Sequence, residues 1–257
     1  MIYIKRWNKD IIFFAKSNII FLIVYLIIVF VAIYIQSVIL VNDILFNGTF
    51  KACFADYFII PIESRMLYFI IFPYLTLLIN FFVRETFMVN RVIRYTKLRS
   101  VWNEHVWATL LFSMFTTIYF QLISSFIGAK QTSILMNFNE KKSFFAFATQ
   151  GITTKDITLF NVIVITTIFL FLTIWLLSLF FTLLLWFFRK FTWCFAIIIV
   201  FALLDLKGYG LFSFFGVYYD QLLSYRLVRL IIPIVFIMFL YSIGLHYCKF
   251  REFVNEN

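Results

Sequence analysis

The chain has 257 residues, of which 64% are hydrophobic, 23% aromatic and 13% charged, and its mean hydropathy is +0.99. Soluble domains carry about 25% charged residues, so this composition excludes a soluble enzyme, a coiled coil and a disordered tail. It predicts an integral membrane protein, and the scarcity of Gly (7) and Pro (3) favours long helices over a barrel of short strands. The formal charge of +10 comes from basic residues that flank apolar runs, which indicates membrane-surface rims rather than nucleic-acid binding.

Six apolar runs are interpreted as membrane-spanning helices, which need roughly 20 residues each. Residues 2–16 mix Lys and Arg with Trp and Phe and predict an N-terminal helix lying in the membrane interface. The run at 157–188 is interpreted as one long helix, and Pro73 is expected to kink the second span. The whole chain, 1–257, is thus predicted to be a single all-α transmembrane domain. Its spans are 18–41, 66–83, 106–127, 157–188, 191–206 and 230–248, of which the fifth is the shortest.

The distribution of positive charge predicts the orientation. An even number of spans places both termini on one side, and that side holds 13 of the 22 Lys and Arg residues. Because basic segments resist translocation, both termini are predicted to be cytoplasmic. Cys53 in the first outer loop is then expected to react with an impermeant thiol reagent on intact cells, whereas Cys194 and Cys248 are not.

Candidate catalytic groups are scarce. The six runs contain no Asp, Glu, Lys or Arg at mid-depth, although such residues mark function by default inside a membrane. Glu104 and His105 at the mouth of span three predict an interfacial polar rim rather than a catalytic dyad. No metal-ligand or nucleophile motif accompanies them. We therefore expect no catalytic residue, no metal site and no cofactor in this chain, which argues against an intramembrane lipid-modifying enzyme.

The connection between spans two and three, 84–102, is the most distinctive segment. It contains no Gly or Pro and is too polar to span. Met88, Val92, Tyr95 and Trp102 recur at helical spacing, while arginines occupy another face. The pattern favours a cytoplasmic helix, parallel to the membrane, that docks a partner. A basic loop resting on anionic lipid headgroups is the alternative.

These features together resemble the membrane subunit of a bacterial ABC-2-type transporter. The resemblance rests on the N-terminal interfacial helix, the basic segment between spans two and three, and an aromatic stretch at 211–226 before span six. It also rests on the ending Tyr241-x-x-Gly244, followed by Lys-x-Arg-x-Phe at 249–253. The nearest likeness is to the compact group associated with export of, or immunity to, antimicrobial peptides and bacteriocins.

The resemblance implies a permease without enzymatic activity, located in the bacterial cell membrane and surrounded by membrane lipids. ATP and Mg would be bound by a separate cytoplasmic ABC ATP-binding subunit, present in two copies. A second permease subunit, identical or related, would complete the transporter. The helix between spans two and three would be a coupling helix seated in the ATPase, with Glu85 capping or salt-bridging near its start. The implied contact residues are Glu85, Arg91, Arg94, Lys97 and Arg99.

Uncharged polar residues on spans one to three are candidates to line a path between permease halves. They are Gln36, Asn80, Thr116, Thr117 and Gln121. The alternative for each is a lone polar group satisfied by a backbone carbonyl or a neighbouring helix. The apolar, aromatic character predicts a hydrophobic or amphipathic peptide as substrate, with lipid-linked glycans or drugs as alternatives. A non-transport membrane scaffold or assembly factor is the competing interpretation, and dependence on an ATPase separates the two.

Overall fold

The computed structural model describes residues 12–14, 16–41, 50–59, 67–86, 98–206 and 228–255. Within these ranges the backbone is helical apart from loops, and an isolated bridge between Lys51 and Ser143 is the one pairing of extended backbone. The predicted all-α class is therefore confirmed. The helices are α1 (Ile19–Val41), α2 (Phe72–Thr86), α3 (Leu98–Gln131), α4 (Phe144–Ala148), α5 (Leu159–Phe188), α6 (Phe191–Leu206) and α7 (Val228–Asn255).

Among the described residues, five helical stretches are long and apolar enough to cross a membrane. They are Ile19–Ser37, Leu67–Arg84, Leu98–Gln131, Leu159–Phe188 and Ile231–Phe250. The apolar part of α6, Phe191–Leu204, is shorter than a full span. The chain is thus a helical protein with several apolar helices of membrane-crossing length, as its composition predicts.

The residues of the predicted helical segment 84–102 are divided between two described helices and a part outside the described residues. Residues 84–86 are the last turn of α2, and residues 98–102 are the first turns of α3. A separate helix here is therefore confined to 87–97, which lies outside the described residues. Most of the predicted interfacial helix at 2–16 and the aromatic stretch at 211–226 also lie outside them.

The second span begins with an irregular turn. A π-helical turn, Leu67–Ile71, leads directly into α2, so that Pro73 is the second residue of the α-helix. Because proline has no N–H and its ring clashes with the carbonyl four residues earlier, the turn before it cannot be regular α-helix. Thr76 Oγ1 donates a hydrogen bond to the Pro73 carbonyl at 2.7 Å. The deviation from regular α-helix therefore lies directly before Pro73.

Helix α5 is the centre of the bundle and packs against α2, α3, α6 and α7. It is one continuous helix of 30 residues, as the uncharged run predicts, and the Thr158 hydroxyl caps its start by accepting from the Asn161 N–H. Three buried hydroxyls donate to carbonyls four residues earlier on the same helix. These are Thr166, Ser178 and Thr182. Because each polar group is satisfied locally, α5 can be buried on nearly all sides.

Both ends of the bundle carry exposed cations, but among the described residues the end formed by 50–59 and 132–158 also exposes the acidic side chains Glu140 and Asp156. At the other, which we call the basic end, the described exposed charges on the helix ends are cations: Arg84, Arg99, Arg189, Lys190 and Lys249. Phe14 near the N-terminus packs edge-on against Phe82 of α2, with ring centroids 5.5 Å apart. Tyr241 of α7 contacts Trp102 of α3. Phe14 and the C-terminal half of α7 are therefore both anchored at this end.

The opposite end, which we call the cap, is built from residues 50–59 and 132–158. The Lys51 N–H donates to the Lys142 carbonyl at 2.8 Å, and the Phe144 N–H donates to the Lys51 carbonyl at 3.0 Å. The Asn137 side chain adds a third bond to the Lys51 carbonyl at 2.9 Å. Two loops separated by about ninety positions in the sequence are thus joined through their backbones.

Candidate functional site

The basic end is held together by a junction of aromatic side chains, which we call the aromatic junction and define as Trp102, His105, Trp186, Tyr241 and Gly244. Trp102 is fully buried, and its indole lies directly on Gly244. A Cβ at position 244 would be 2.1 Å from Cζ2 of Trp102. Helices α3 and α7 can therefore approach this closely only because residue 244 has no side chain.

Hydrogen bonds fix the register between α3 and α7. The Trp102 indole N–H donates to the Tyr241 carbonyl at 3.3 Å, and the Tyr241 hydroxyl donates to Oδ1 of Asn103 at 3.1 Å. The two bonds run in opposite directions between neighbouring residues of the two helices. Sliding α7 along α3 by one residue would break both.

A second pair ties α5 into the same junction. The Trp186 indole N–H donates to Nδ1 of His105 at 2.8 Å, and the rings of Trp102 and Trp186 meet edge to face at 5.5 Å. Since Nδ1 accepts this hydrogen bond, a neutral His105 carries its own proton on Nε2. Phe82 of α2 covers the histidine ring at 6.0 Å. Four helices therefore converge on one buried cluster.

Glu104 and His105 are both fully buried, so the prediction of an exposed interfacial rim is wrong. The physical reason is that α3 begins at Leu98, eight residues before the predicted start of the span. The bundle therefore encloses positions that hydropathy alone assigns to the membrane surface. Among the described residues no three His, Cys, Asp or Glu side chains lie close enough to hold a metal ion. The aromatic junction can therefore act mechanically, because it fixes the positions of α3, α5 and α7 relative to one another.

The predicted ATPase-contact residues come before Trp102, the first residue of the aromatic junction, in the sequence. Arg99 is exposed on the first turn of α3, three residues before Trp102. Glu85 belongs to the last turn of α2, and its side chain is outside the described part of the chain. Arg91, Arg94 and Lys97 also lie outside the described residues. Their role as contacts stays a prediction.

Three of the five predicted path-lining residues are buried inside the single chain. Asn80 is 7% exposed, and Thr116 and Thr117 are 2% exposed each. Thr117 donates to the Ser113 carbonyl at 2.8 Å, and Thr116 Oγ1 accepts a long hydrogen bond of 3.5 Å from the Tyr25 hydroxyl. Both threonines therefore have the kind of partner that the alternative to a path-lining role predicts: a backbone carbonyl for Thr117 and a neighbouring helix for Thr116.

The two glutamines are less enclosed. Gln36 on α1 and Gln121 on α3 are each half-buried. The amide nitrogen and oxygen of Gln121 are shielded from solvent and make no hydrogen bond to other described residues. Ser113, Thr117, Gln121 and Ser124 follow one side of α3 at spacings of three and four residues. This polar stripe continues to Gly128, where the cap begins.

The sequence analysis missed the buried acidic group in the cap. Asp56 is fully buried and accepts a hydrogen bond from the Cys53 N–H at 2.7 Å, which starts the short helical turn Phe54–Phe58. Tyr57 and Phe54 pack against Gly128 at the end of α3. The spacing Cys53-x-x-Asp56 matches the N-cap and N3 positions of a capping box, and it is the signal that could have located this turn.

Cys53 is fully buried beneath this turn, which corrects the expectation that it reacts readily on intact cells. Burial raises the pKa of the Cys53 thiol to about 12, and the negative charge of Asp56 adds to the increase. The reactive species is the thiolate, so both access and ionisation oppose labelling. Burial and then Asp56 also raise the pKa of the Tyr57 hydroxyl.

A comparison with protein-family models, with curated proteins and with solved structures finds no match to this chain. Function is therefore inferred from the aromatic junction, the charges beside it and the helical architecture.

Proposed function

We propose that this chain is the membrane-spanning permease subunit of an ATP-driven exporter of the ABC-2 type in a bacterial membrane, with both termini cytoplasmic. It would act without enzymatic activity of its own, beside a second permease subunit. A separate ATP-binding subunit, in two copies, would bind ATP and Mg. The observation that carries the proposal is the aromatic junction immediately after the basic segment 84–99.

The aromatic junction is suited to pass a displacement of segment 87–97 on to the spans. In the sequence, segment 87–97 connects two packed helices, since α2 ends at Thr86 and α3 begins at Leu98. Within two turns of that start, Trp102 and His105 engage α7 and α5. A displacement of the segment by a partner would thus be passed to three spans rather than absorbed in a loop.

Helix α3 extends this connection across the molecule. It has 34 residues, which corresponds to about 51 Å at ~1.5 Å per residue. The same helix that begins beside the basic segment reaches the cap through Gly128 in its last turn, which packs against Tyr57. Movement at one membrane surface would therefore reach the other through a single helix.

The proposal includes six passes. The C-terminal end of α5 lies beside the C-terminal half of α7, since the Tyr247 hydroxyl donates to the Trp186 carbonyl and the rings of Phe187 and Tyr247 meet there. Two helices that end on the same side require the chain to return between them. Helix α6 is 16 residues long, or about 24 Å, and together with 207–227 it is the segment available for that return.

The proposed substrate is a hydrophobic or amphipathic peptide. The polar stripe on α3 offers hydroxyl and amide groups but no charge, which suits peptide backbones better than ions. Gln36, Asn80, Thr116, Thr117 and Gln121 are proposed to face the path when the spans separate. Export of a lipid-linked glycan or a drug is distinguished by direct assay of those substrates.

The experiment is purification of the tagged protein from its native membrane in mild detergent, with identification of co-eluting proteins and an assay of ATP hydrolysis. Arg91 and Arg94 are replaced together by Glu to reverse the charge of the coupling segment. The matched control replaces Lys141 and Lys142 by Glu, since both are exposed on the cap. We expect a co-purifying ATPase that is lost from R91E/R94E and kept by K141E/K142E.

Equal association of the wild type and R91E/R94E would overturn the docking assignment. A preparation without an ATPase, obtained also after cross-linking in cells to prevent dissociation, would favour the scaffold or assembly factor. Membrane insertion of each variant is checked by its yield in the membrane fraction.

A further inference from the structure

A groove opens on the surface of the basic end, beside the aromatic junction. It has a volume of about 540 Å³ and lies between the end of α5 and the C-terminal half of α7. Phe187 forms one wall, and Phe239, Ile243 and Tyr247 form much of the other. This volume is within the range of roughly 300–1,000 Å³ that is typical of ligand pockets.

The shape of the groove is set by buried contacts. The rings of Phe187 and Tyr247 meet edge to face with centroids 4.6 Å apart. The Tyr247 hydroxyl donates a long hydrogen bond of 3.5 Å to the carbonyl of Trp186, a member of the aromatic junction. The groove is therefore preformed by the same packing that joins α5 to α7.

The position of the groove determines which molecules reach it. Its α7 wall lies within Ile231–Phe250, a stretch of membrane-crossing length and composition. Phe239 and Phe250 on that wall are 59% and 65% exposed, and in a membrane such side chains face hydrocarbon. An acyl chain is the apolar ligand that is always available there.

The sequence beside the groove adds a charge requirement. Arg189 and Lys190 follow the lining residue Phe187 almost directly, and Lys249 adjoins the lining residue Phe250; all three cations are exposed. The turn is held because Arg189 adopts a left-handed conformation (φ 55) and its N–H donates to the Leu185 carbonyl at 3.0 Å. No Asp or Glu occurs in 186–204 or 231–250, and Glu252 is offset by its neighbour Arg251, so the sequence beside the groove keeps a net positive charge.

We propose that this groove binds one anionic phospholipid, with an acyl chain along α7 and the phosphate beside Arg189, Lys190 and Lys249. The apolar wall explains retention of the chain, and the adjacent cations explain preference for a net negative headgroup. The site is independent of the proposed ATPase contact, because it uses α5 and α7 instead of the segment at 87–97.

The test reconstitutes the protein in nanodiscs containing equal amounts of phosphatidylglycerol and phosphatidylcholine, and measures retained lipid by native mass spectrometry. Wild type should retain phosphatidylglycerol preferentially. R189Q/K190Q should lose roughly fivefold in that preference for each charge removed. The matched control K141Q/K142Q removes two exposed charges at the cap and should leave the preference unchanged.

A second variant tests the groove itself. Ser242 lines the groove and is exposed, so S242W should fill it and reduce total retained lipid while the cations stay in place. If S242W fails to fold, photo-crosslinking of phosphatidylglycerol to wild type replaces it, and the adduct should map to 231–250.

Three outcomes would overturn the proposal. They are equal retention of both lipids by the wild type, an equal loss in K141Q/K142Q, and unchanged lipid retention in a folded S242W. An adduct outside 231–250 would likewise exclude the groove. Displacement of the lipid by a hydrophobic peptide, with no preference between headgroups, would identify the groove as a peptide site instead.

Discussion

The two ends of the bundle are stabilised in different ways. At the cap, loops 50–59 and 132–158 are joined mainly by backbone hydrogen bonds, such as those between Lys51 and Lys142. At the basic end, helices are joined by a few large side chains, above all Trp102 against Gly244 and Trp186 against His105. Backbone bonds tolerate most substitutions, whereas a side-chain junction depends on each of its members.

This difference predicts where substitutions act. Changes in the aromatic junction should alter helix packing throughout the bundle, because four helices share it. Changes of a cap side chain should stay local, because backbone hydrogen bonds such as those of Lys51 with 142–144 hold its loops together whatever the side chain. The following predictions test that contrast, beginning with the largest expected effect.

The largest effect is expected for Gly244→Leu. A Cβ at this position would lie 2.1 Å from the Trp102 ring, so α7 must move away from α3. Overpacking of this kind costs about 3 kcal/mol or more, measured as loss of the folded fraction and a lower midpoint of thermal unfolding in detergent. Ser242→Leu, on the exposed face of the same helix, is the control and should have little effect.

The double variant W102A/G244L makes the prediction more specific. Removing the indole should recover part of the stability lost in G244L, since the clash is with that ring. A G244L protein as stable as wild type would show that α3 and α7 do not approach this closely.

A smaller loss is expected for Trp186→Phe. The variant keeps an aromatic ring but removes the N–H that donates to His105 at 2.8 Å, which leaves a buried acceptor unsatisfied. We expect a loss of about 2 kcal/mol in the free energy of unfolding. Trp193→Phe is the control, because Trp193 is 62% exposed and should change stability by less than about 0.5 kcal/mol. Equal effects of the two variants would contradict the junction.

At the cap, Asp56→Ala should act locally. Loss of the 2.7 Å bond from the Cys53 N–H is expected to cost about 1–2 kcal/mol and to expose the Cys53 thiol. The measurement is the rate of maleimide labelling at pH 8, which should be slow for Cys53 in the wild type and faster in D56A. A cysteine introduced at exposed Lys141 provides the fast reference. Rapid labelling of Cys53 in the wild type would contradict its burial.

The raised pKa of the Cys53 thiol predicts that the stability of the folded chain depends on pH. Its pKa is about 12 in the folded chain, against an ordinary value of 9.0. The folded state therefore holds a proton that the unfolded state loses, and stability should fall as the pH rises from 9 towards 12. Cys53→Ser, measured over the same range, should show a smaller fall; an equal fall would assign the pH dependence to other groups.

The smallest effect is expected for Thr116→Val. The bond from the Tyr25 hydroxyl is 3.5 Å long, and interhelical hydrogen bonds in membrane proteins contribute about 0.6 kcal/mol on average. A double-mutant cycle with Tyr25→Phe should give a coupling energy no larger than that. A much larger coupling would indicate that α1 and α3 are joined as firmly as the members of the aromatic junction.

Much of the fold follows from sequence, because hydropathy reports which helices are apolar. The uncharged run and the Thr158 cap define α5 closely. Helix α3 begins eight residues before the predicted third span, because residues 101–105 include polar groups that other helices enclose. The buried His105 has its partner in Trp186, 81 positions away. Such partners are set by tertiary packing, which no local pattern reports.

The cap shows the same limit. Cys53-x-x-Asp56 is a readable local signal, but the pairing of Lys51 with 142–144 depends on where two distant loops meet. Similarly, Gly244 in an apolar helix is typical of close helix contact, yet its sequence does not identify Trp102 as the residue it contacts.

The central claim is that the basic end, and not the cap, docks an ATP-binding subunit. The most direct measurement is site-specific photo-crosslinking in cells, with a benzophenone amino acid in place of Arg99 or, at the cap, Lys141. Both positions are exposed. The account predicts an adduct with an ATP-binding protein from position 99 and none from position 141. An adduct from position 141, or none from position 99, would contradict it.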